Sequence, residues 1–365
     1  MANPSPTEIN PVSDMQSMKM RVIIIQGYNT PYRNELFNLI SEYDDIDLTL
    51  LYISKKSQNR QWKDELRARF REVQVQCNVK AEHFEDDRAQ VNYFDLARKI
   101  ISLQPDVVIS QLSKYTIFLR YILFWRKFDL VHWSEATTIT EGNKNWFKKK
   151  YLKYHLNWPK AFLVPGKLAH EYLQFCGFNL KNKVFYAPNS VDPIYCISER
   201  EIFQKFESDG PVKFLFVGSF VERKGFHILN AVFNSLKNSN LNFEFHVAGN
   251  GPIKPAKGIL NHGFVTQEKA ISLYKDCHVF IMPSLWDCNP LSLIEAAKTG
   301  NVLLVSKGAG NYPEMVNGNG FVFEIGSEEG LLEKCHRVLD ASRDELLDMG
   351  MRSVVLSSGI THRNT

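Results

Sequence analysis

Residues 282–316 read MPSLWDCNPLSLIEAAKTGNVLLVSKGAGNYPEMV. The apolar run VFIM that leads into this stretch, 279–282, is short and β-leaning, so it reads as a buried parallel strand ending at the Pro283-Ser284 break. Asn289 is a favoured N-cap residue and Pro290 suits the first helical position. Leu291, Ile294 and Glu295 then keep helical spacing until Gly300 stops it. Two acids, Asp287 and Glu295, therefore bracket a helix N-terminus beside the carboxyl edge of a strand. Free N–H groups and the positive dipole end gather there, which is where open α/β sheets place anionic ligands.

The same alternation recurs in both halves of the chain. On the C-terminal side, strands are expected at 212–218, 242–248 and 279–282, with helices at 225–236 and 267–275. On the N-terminal side, the strand RVIIIQ at 21–26 turns into a helix whose Leu36, Phe37, Leu39 and Ile40 face inward. Strands at 47–53, 105–110, 129–135, 161–164 and 183–187 follow, separated by helices at 93–103, 115–125, 144–154 and 167–175. Such alternation predicts an α/β chain of two Rossmann-like parallel-sheet domains facing a cleft. The expected boundaries are a disordered Pro/Ser/Asn-rich leader at 1–18, in which Met18 or the nearby Met20 offers an alternative start, an N-terminal domain at 19–197, a polar linker at 198–210, a C-terminal domain at 211–342 and a final helix in 343–365. The first strand-to-helix loop has one glycine, Gly27, instead of G-x-G-x-x-G, which argues against a dinucleotide cofactor.

Composition narrows the classes. The chain has 365 residues, 44% of them apolar, enough for two cored domains. It has neither eighteen uninterrupted apolar residues nor a charged-then-apolar signal pattern at the start, so no spanning helix and no export are expected. The six cysteines lie scattered without C-x-x-C spacing, against a zinc ribbon or a disulfide framework and in favour of a cytoplasmic setting. Net charge is +4, yet 111–190 holds thirteen Lys/Arg against four Asp/Glu among many aromatics. That basic surface, with Lys148, Lys149 and Lys150 in the helix at 144–154, suits an anionic membrane leaflet, a phosphate-bearing acceptor or nucleic acid; its structural alternative is a solvated helix face. Nucleic acid ranks last because no recognised motif accompanies the charge. Asp45-Ile46-Asp47 sits at a turn before a strand without the context of a metal-binding D-x-D, so no metal site is expected.

Set side by side, FVGSFVERKG, VAGNGP, NHGFV, PSLWDCNPLSLIEAAKTG and GAGNYPE resemble, in that order, family 4 of the retaining nucleotide-sugar glycosyltransferases, which have the GT-B fold. That family's hallmark, an acid followed after seven residues by Glu, stands here as Asp287 and Glu295. Its Lys-Gly after the first strand of the second domain stands as Lys224-Gly225. The resemblance covers roughly 214–316 and is looser in the N-terminal half, where it rests on PYRNELF and APNSVD. It implies a hexosyltransferase that uses a UDP- or GDP-sugar as substrate, without a further cofactor or metal, acting on a glycan or lipid-linked acceptor in polysaccharide or glycolipid synthesis. The N-terminal domain would bind the acceptor.

The resemblance also assigns roles. Lys224, assisted by Arg223 and by the N–H groups of the helix start from Asn289 to Leu291, Pro290 excepted, would stabilise the departing diphosphate, whose charge grows as the glycosidic bond breaks. Glu295 would hold the ribose hydroxyls, Asp287 the donor-sugar hydroxyls, and the backbone of Gly263, Phe264 and Val265 the nucleobase. Ser219 stands where many relatives carry Arg, and the first loop lacks the paired glycines frequent in relatives, so that Tyr28, Asn29, Tyr32 and Arg33 would line the acceptor side instead. Glu135, at a strand exit, would orient the acceptor hydroxyl, while His132 inside that strand suits a core role. The other reading from these residues is a non-catalytic nucleotide- or glycan-binding module on a degenerate scaffold.

Overall fold

The computed structural model describes residues 19–28, 30–54, 68–83, 86–111, 113–122, 127–142, 145–181, 183–207 and 210–361. The expected leader, 1–18, lies outside them. In the first half the chain runs β1 (Met20–Tyr28), α1 (Pro31–Ser41), β2 (Ile46–Ser54), β3 (Arg71–Gln74), β4 (Cys77–His83), β5 (Asp86–Val91), α2 (Tyr93–Leu103), β6 (Val107–Ser110) and α3 (Ser113–Ile122). It continues through β7 (Asp129–Trp133), α4 (Thr138–Glu141), α5 (Trp146–Leu156), β8 (Ala161–Val164), α6 (Lys167–Phe175) and β9 (Val184–Tyr186). Among the described residues, seven of these strands form one parallel sheet in the order β3-β2-β1-β6-β7-β8-β9. Strands β4 and β5 form a separate antiparallel hairpin, which the polar sequence of that region did not announce. Alternation along β1 explains why this sheet is covered on both faces. Val22 and Ile24 pack with Phe37 and Leu50 on one side, and Ile23 and Ile25 with Leu96, Ile100 and Val108 on the other. Each such fully buried aliphatic or aromatic side chain contributes about 1.5–3 kcal/mol.

The second half runs α7 (Glu199–Phe206), β10 (Val212–Val217), α8 (Phe226–Leu236), β11 (Phe243–Ala248), β12 (Leu260–Asn261), α9 (Gln267–Asp276), β13 (Val279–Met282), α10 (Leu291–Lys298), β14 (Val302–Ser306), α11 (Tyr312–Met315), β15 (Gly320–Phe323), α12 (Glu328–Leu339) and α13 (Arg343–Ser357). Six strands form a second parallel sheet in the order β12-β11-β10-β13-β14-β15. The order reverses between β1 and β6 in the first sheet and between β10 and β13 in the second. Doubly wound sheets open a ligand crevice at such reversals, outside the carboxyl ends of the strands.

Residues 198–210 correct the expected linker. A capping box, in which Ser198 and Glu201 exchange side-chain and backbone hydrogen bonds, starts α7, and Ile202 and Phe206 sink into the second-domain core. The polar composition misled because it belongs to the outer face of an amphipathic helix. The change of domain comes earlier, since Val191 and Tyr195 already pack with the second-domain residues Tyr274, Leu293 and Ile294. Helix α13 packs on α7 and α10, within the second domain.

The two domains touch across the cleft. The Glu314 carboxylate in α11 accepts the Lys167 N–H at the start of α6 at 2.6 Å. Gly166 is the N-cap residue of α6 and supplies no side chain of its own, and a Cβ there would sit 2.6 Å from Glu314 Oε1.

Candidate active site

The loop after β10 carries Ser219, Arg223 and Lys224, and it is anchored by phenylalanines. Phe220 and Phe226, both buried, stack at 4.1 Å and 12° and close the base of the loop. The short 3-10 turn Glu222–Lys224 then ends at Gly225 in the left-handed region, φ +69°. A Cβ at Gly225 would lie 1.9 Å from the Pro283 carbonyl oxygen, so only glycine lets this loop press against the end of β13. The Leu285 N–H donates to the Arg223 carbonyl at 2.9 Å, joining the two loops. Lys224 Nζ consequently meets Asp287 Oδ2 in a direct salt bridge, with side chains only 16% and 15% exposed. Arg223 Nη1 stands 3.9 Å from the same oxygen, and its guanidinium lies 4.8 Å from the centre of the Trp286 ring.

Asp287 is fixed from below. Its N–H donates to the Gly308 carbonyl at 2.8 Å and its carbonyl accepts the Gly310 N–H at 2.7 Å. A Cβ on Gly310 would fall 1.8 Å from the Cys288 oxygen, which explains the glycines of the GAG turn. The expected Asn289 cap is corrected. Pro290, extended at φ −65° and ψ 120°, takes the N-cap place of α10 with no side-chain cap bond, and the helix begins at Leu291. Asn289 is turned inward instead, 9% exposed, and neither its amide oxygen nor its nitrogen has a hydrogen-bond partner.

Glu295 lies one turn into α10. The Tyr274 hydroxyl donates to its Oε2 at 2.8 Å, and the Tyr195 hydroxyl faces the same carboxyl. Burial holds the Glu295 pKa above the ordinary carboxylate range, opposed by these two donors. Beside it, the loop after β12 is tied in by the Gly249 N–H, which donates to the Gly263 carbonyl at 2.7 Å, and Ser219 follows Gly218, whose carbonyl crowds Gly249. Gly263 takes φ +66°, Phe264 is exposed, and Val265 packs on the cluster that contains Ala248. Ser219, Arg223, Lys224, Gly263, Phe264, Val265, Asp287, Asn289 and Pro290 thus sit on neighbouring loops along the carboxyl edge of the second sheet, with Leu291 and Glu295 in the first turns of α10.

Across the cleft, Glu135 forms a salt bridge with the buried Arg33. Arg33 also donates to Asn189 Oδ1 at 3.3 Å and lies over Trp133 at 4.9 Å. The side chains of Tyr28, Asn29 and Tyr32 fall outside the described residues. His132 is buried and bonded to Thr116 Oγ1 at 2.8 Å, and desolvation pushes its pKa down to about 4, a core histidine as expected. Several buried polar atoms without a partner gather at the strand exits: Gln26 Nε2, Thr30 Oγ1, Gln111 Nε2 and Trp133 Nε1 in the first sheet, Ser284 Oγ and Asn289 in the second. Buried polar atoms are normally satisfied, so their concentration on the two lips marks surfaces built to receive polar groups. No group of three or more His, Cys, Asp or Glu arranged to hold a metal ion occurs among the described residues.

With this geometry in place, residues 198–350 match the family model of glycosyl transferases group 1. The match spans the second domain and is a similarity to that family. No curated protein sequence matches the chain. Solved structures match nearly its whole length and establish the GT-B fold. Anabaena HepE in complex with UDP and glucose matches at TM-score 0.69 and 11% identity, over 93% of this chain and 95% of that one. Sucrose-phosphate synthase from Thermosynechococcus elongatus matches at TM-score 0.71 and 12% identity, over 94% and 95%. A glycosyltransferase from Rickettsia africae matches at TM-score 0.69 and 14% identity, over 94% of each chain. The matched segment contains Ser219, Arg223, Lys224, Gly263, Phe264, Val265, Asp287, Asn289, Pro290, Leu291 and Glu295. Tyr195, Tyr274 and Trp286, by contrast, carried no signal, because spacing does not reveal where a buried hydroxyl or ring points.

Proposed function

We propose that the chain is a retaining, metal-independent hexosyltransferase of family 4, moving a sugar from a UDP- or GDP-sugar to a glycan or lipid-linked acceptor. The observation that carries this reading is the Lys224–Asp287 pair standing with Glu295 around the start of α10, at the point where the second sheet reverses its order. Lys224 and the first N–H groups of α10 would receive the diphosphate, Asp287 the hydroxyls of the donor sugar, Glu295 the ribose, and the Gly263 loop the base. The UDP and UDP-glucose complexes of HepE support a nucleotide-sugar donor for a fold of this kind. In the transfer, the bond between the anomeric carbon and the diphosphate oxygen breaks and that to the acceptor oxygen forms on the same face. The acceptor proton passes to the departing phosphate oxygen. Glu135, held by Arg33, would orient the acceptor hydroxyl beside the unpartnered polar atoms of the first sheet.

An assay with UDP- and GDP-sugars, candidate acceptors and a chelator tests this reading. The expected product keeps the donor's anomeric configuration; an inverted product, or normal turnover by Glu295→Ala, would sink it.

The acceptor side also suits work at the cytoplasmic membrane face. No helix among the described residues is long and apolar enough to cross a membrane. Helix α5, however, exposes Trp146, Phe147, Tyr151 and Tyr154 beside its lysines, and Tyr121 and Trp158 lie exposed on neighbouring segments. Rings of this kind sit at headgroup level, and each nearby lysine adds about 1 kcal/mol of attraction to an anionic leaflet. The protein should float with phosphatidylglycerol-containing liposomes and lose most of that binding when Lys148, Lys149 and Lys150 are replaced by Glu. Failure of the unaltered protein to float removes the membrane part.

A further inference from the structure

The donor-side carboxylate is held by a residue from the segment that joins the domains. Tyr195 closes a short turn, Pro193–Tyr195, where the chain enters the second domain after β9, and it is 5% exposed. Its ring meets that of the fully buried Tyr274 edge to face at 6.1 Å. Both hydroxyls converge on the Glu295 carboxyl, Tyr274 from α9 at 2.8 Å and Tyr195 from the crossover, with Gln267 beside the Tyr195 hydroxyl. A buried carboxylate without such donors would swing or take up a proton, and one held by two rigid phenols keeps a fixed orientation. We infer that Tyr195 is a positioning residue for nucleotide binding: its hydroxyl, delivered by the interdomain crossover, aims Glu295 at the ribose of the donor. This rests on the donor-site reading of Glu295.

The arrangement has a chemical consequence that packing alone would not have. Each hydroxyl favours the ionised form of Glu295, the form that accepts both ribose hydroxyls. The groups facing this carboxyl from the neighbouring elements are those two tyrosines, and removal of one donor raises the pKa of Glu295 further. The pH below which nucleotide affinity falls must then rise.

The experiment measures UDP, GDP and ADP binding between pH 5 and 8 by calorimetry for the wild type, Tyr195→Phe, Glu295→Gln and the double variant. Tyr195→Phe keeps the ring and should fold. It is expected to weaken binding of the preferred nucleotide about five- to tenfold, one hydrogen bond's worth, and to move the acid limb to higher pH. In the Glu295→Gln background the same change should have little further effect, since the hydroxyl acts through the carboxyl. Unchanged affinity and an unchanged acid limb in Tyr195→Phe overturn the inference while leaving the donor site standing. So does a loss that persists in the Glu295→Gln background. If the wild type binds none of the three nucleotides, the donor-site reading itself falls, and the inference with it.

Discussion

Replacing Lys224 with alanine is expected to lower transfer at least tenfold, and as much as about 100-fold, with a smaller effect on folding. Its ammonium is the cation nearest Asp287, in a site where both side chains are largely covered. A charge-assisted hydrogen bond contributes roughly 1.5–3 kcal/mol, and the diphosphate gains negative charge as the sugar departs, so most of the loss should fall on kcat. Arg223 cannot take over cheaply. Its guanidinium is seated over Trp286 and stands 3.9 Å from Asp287 Oδ2. Steady-state kinetics with the preferred donor decide the matter, and wild-type turnover by the variant would remove Lys224 from the catalytic machinery.

Gly225→Ala is expected to be severely destabilising although it adds one methyl group. The new Cβ would lie 1.9 Å from the Pro283 oxygen, which belongs to backbone at the end of a central strand and cannot swing aside. The left-handed conformation at φ +69° adds to that clash. Overpacking costs about 1–3 kcal/mol and a left-handed alanine about 1–2 kcal/mol more, so a total of roughly 3 kcal/mol is a fair expectation. For a domain of this size that corresponds to a Tm lower by about 6–12 °C. Since Lys224 precedes this glycine, whatever folds should also bind nucleotide poorly. A melting curve superimposable on that of the wild type would show that the loop has room the geometry denies it.

The cluster along the carboxyl edge of the second sheet was legible in the sequence because its residues are local. Asp287 and Glu295 belong to one strand-loop-helix unit, and Lys224-Gly225 closes another, so spacing and punctuation alone bring each to the carboxyl edge of a parallel sheet. What sequence missed depended on orientation or distance. Asn289 fits the composition of a cap, but Pro290 takes that place with its own fixed φ and the amide turns inward. Segment 198–210 is polar enough for a linker, yet Ile202 and Phe206, four residues apart, make it a core helix. Tyr195 lies 100 residues from Glu295 in the chain, and Arg33 meets Glu135 across 102 residues. No local pattern encodes such pairs. The first-domain side of the cleft is dominated by them, which is why it was read so much less fully.

The bond from Lys167 N–H to Glu314 places the finishing of a helix in the hands of the other domain. A short helix such as α6 begins with N–H groups that need acceptors, and Gly166 offers none of its own. A polar cap is worth about 1 kcal/mol, so parting the domains leaves α6 incomplete by about that amount until water fills in. Separation and docking are therefore not motions of two finished bodies. A piece of backbone in the first domain is chemically whole only while the second is in place, which lends the docked arrangement a small, specific preference before any substrate arrives.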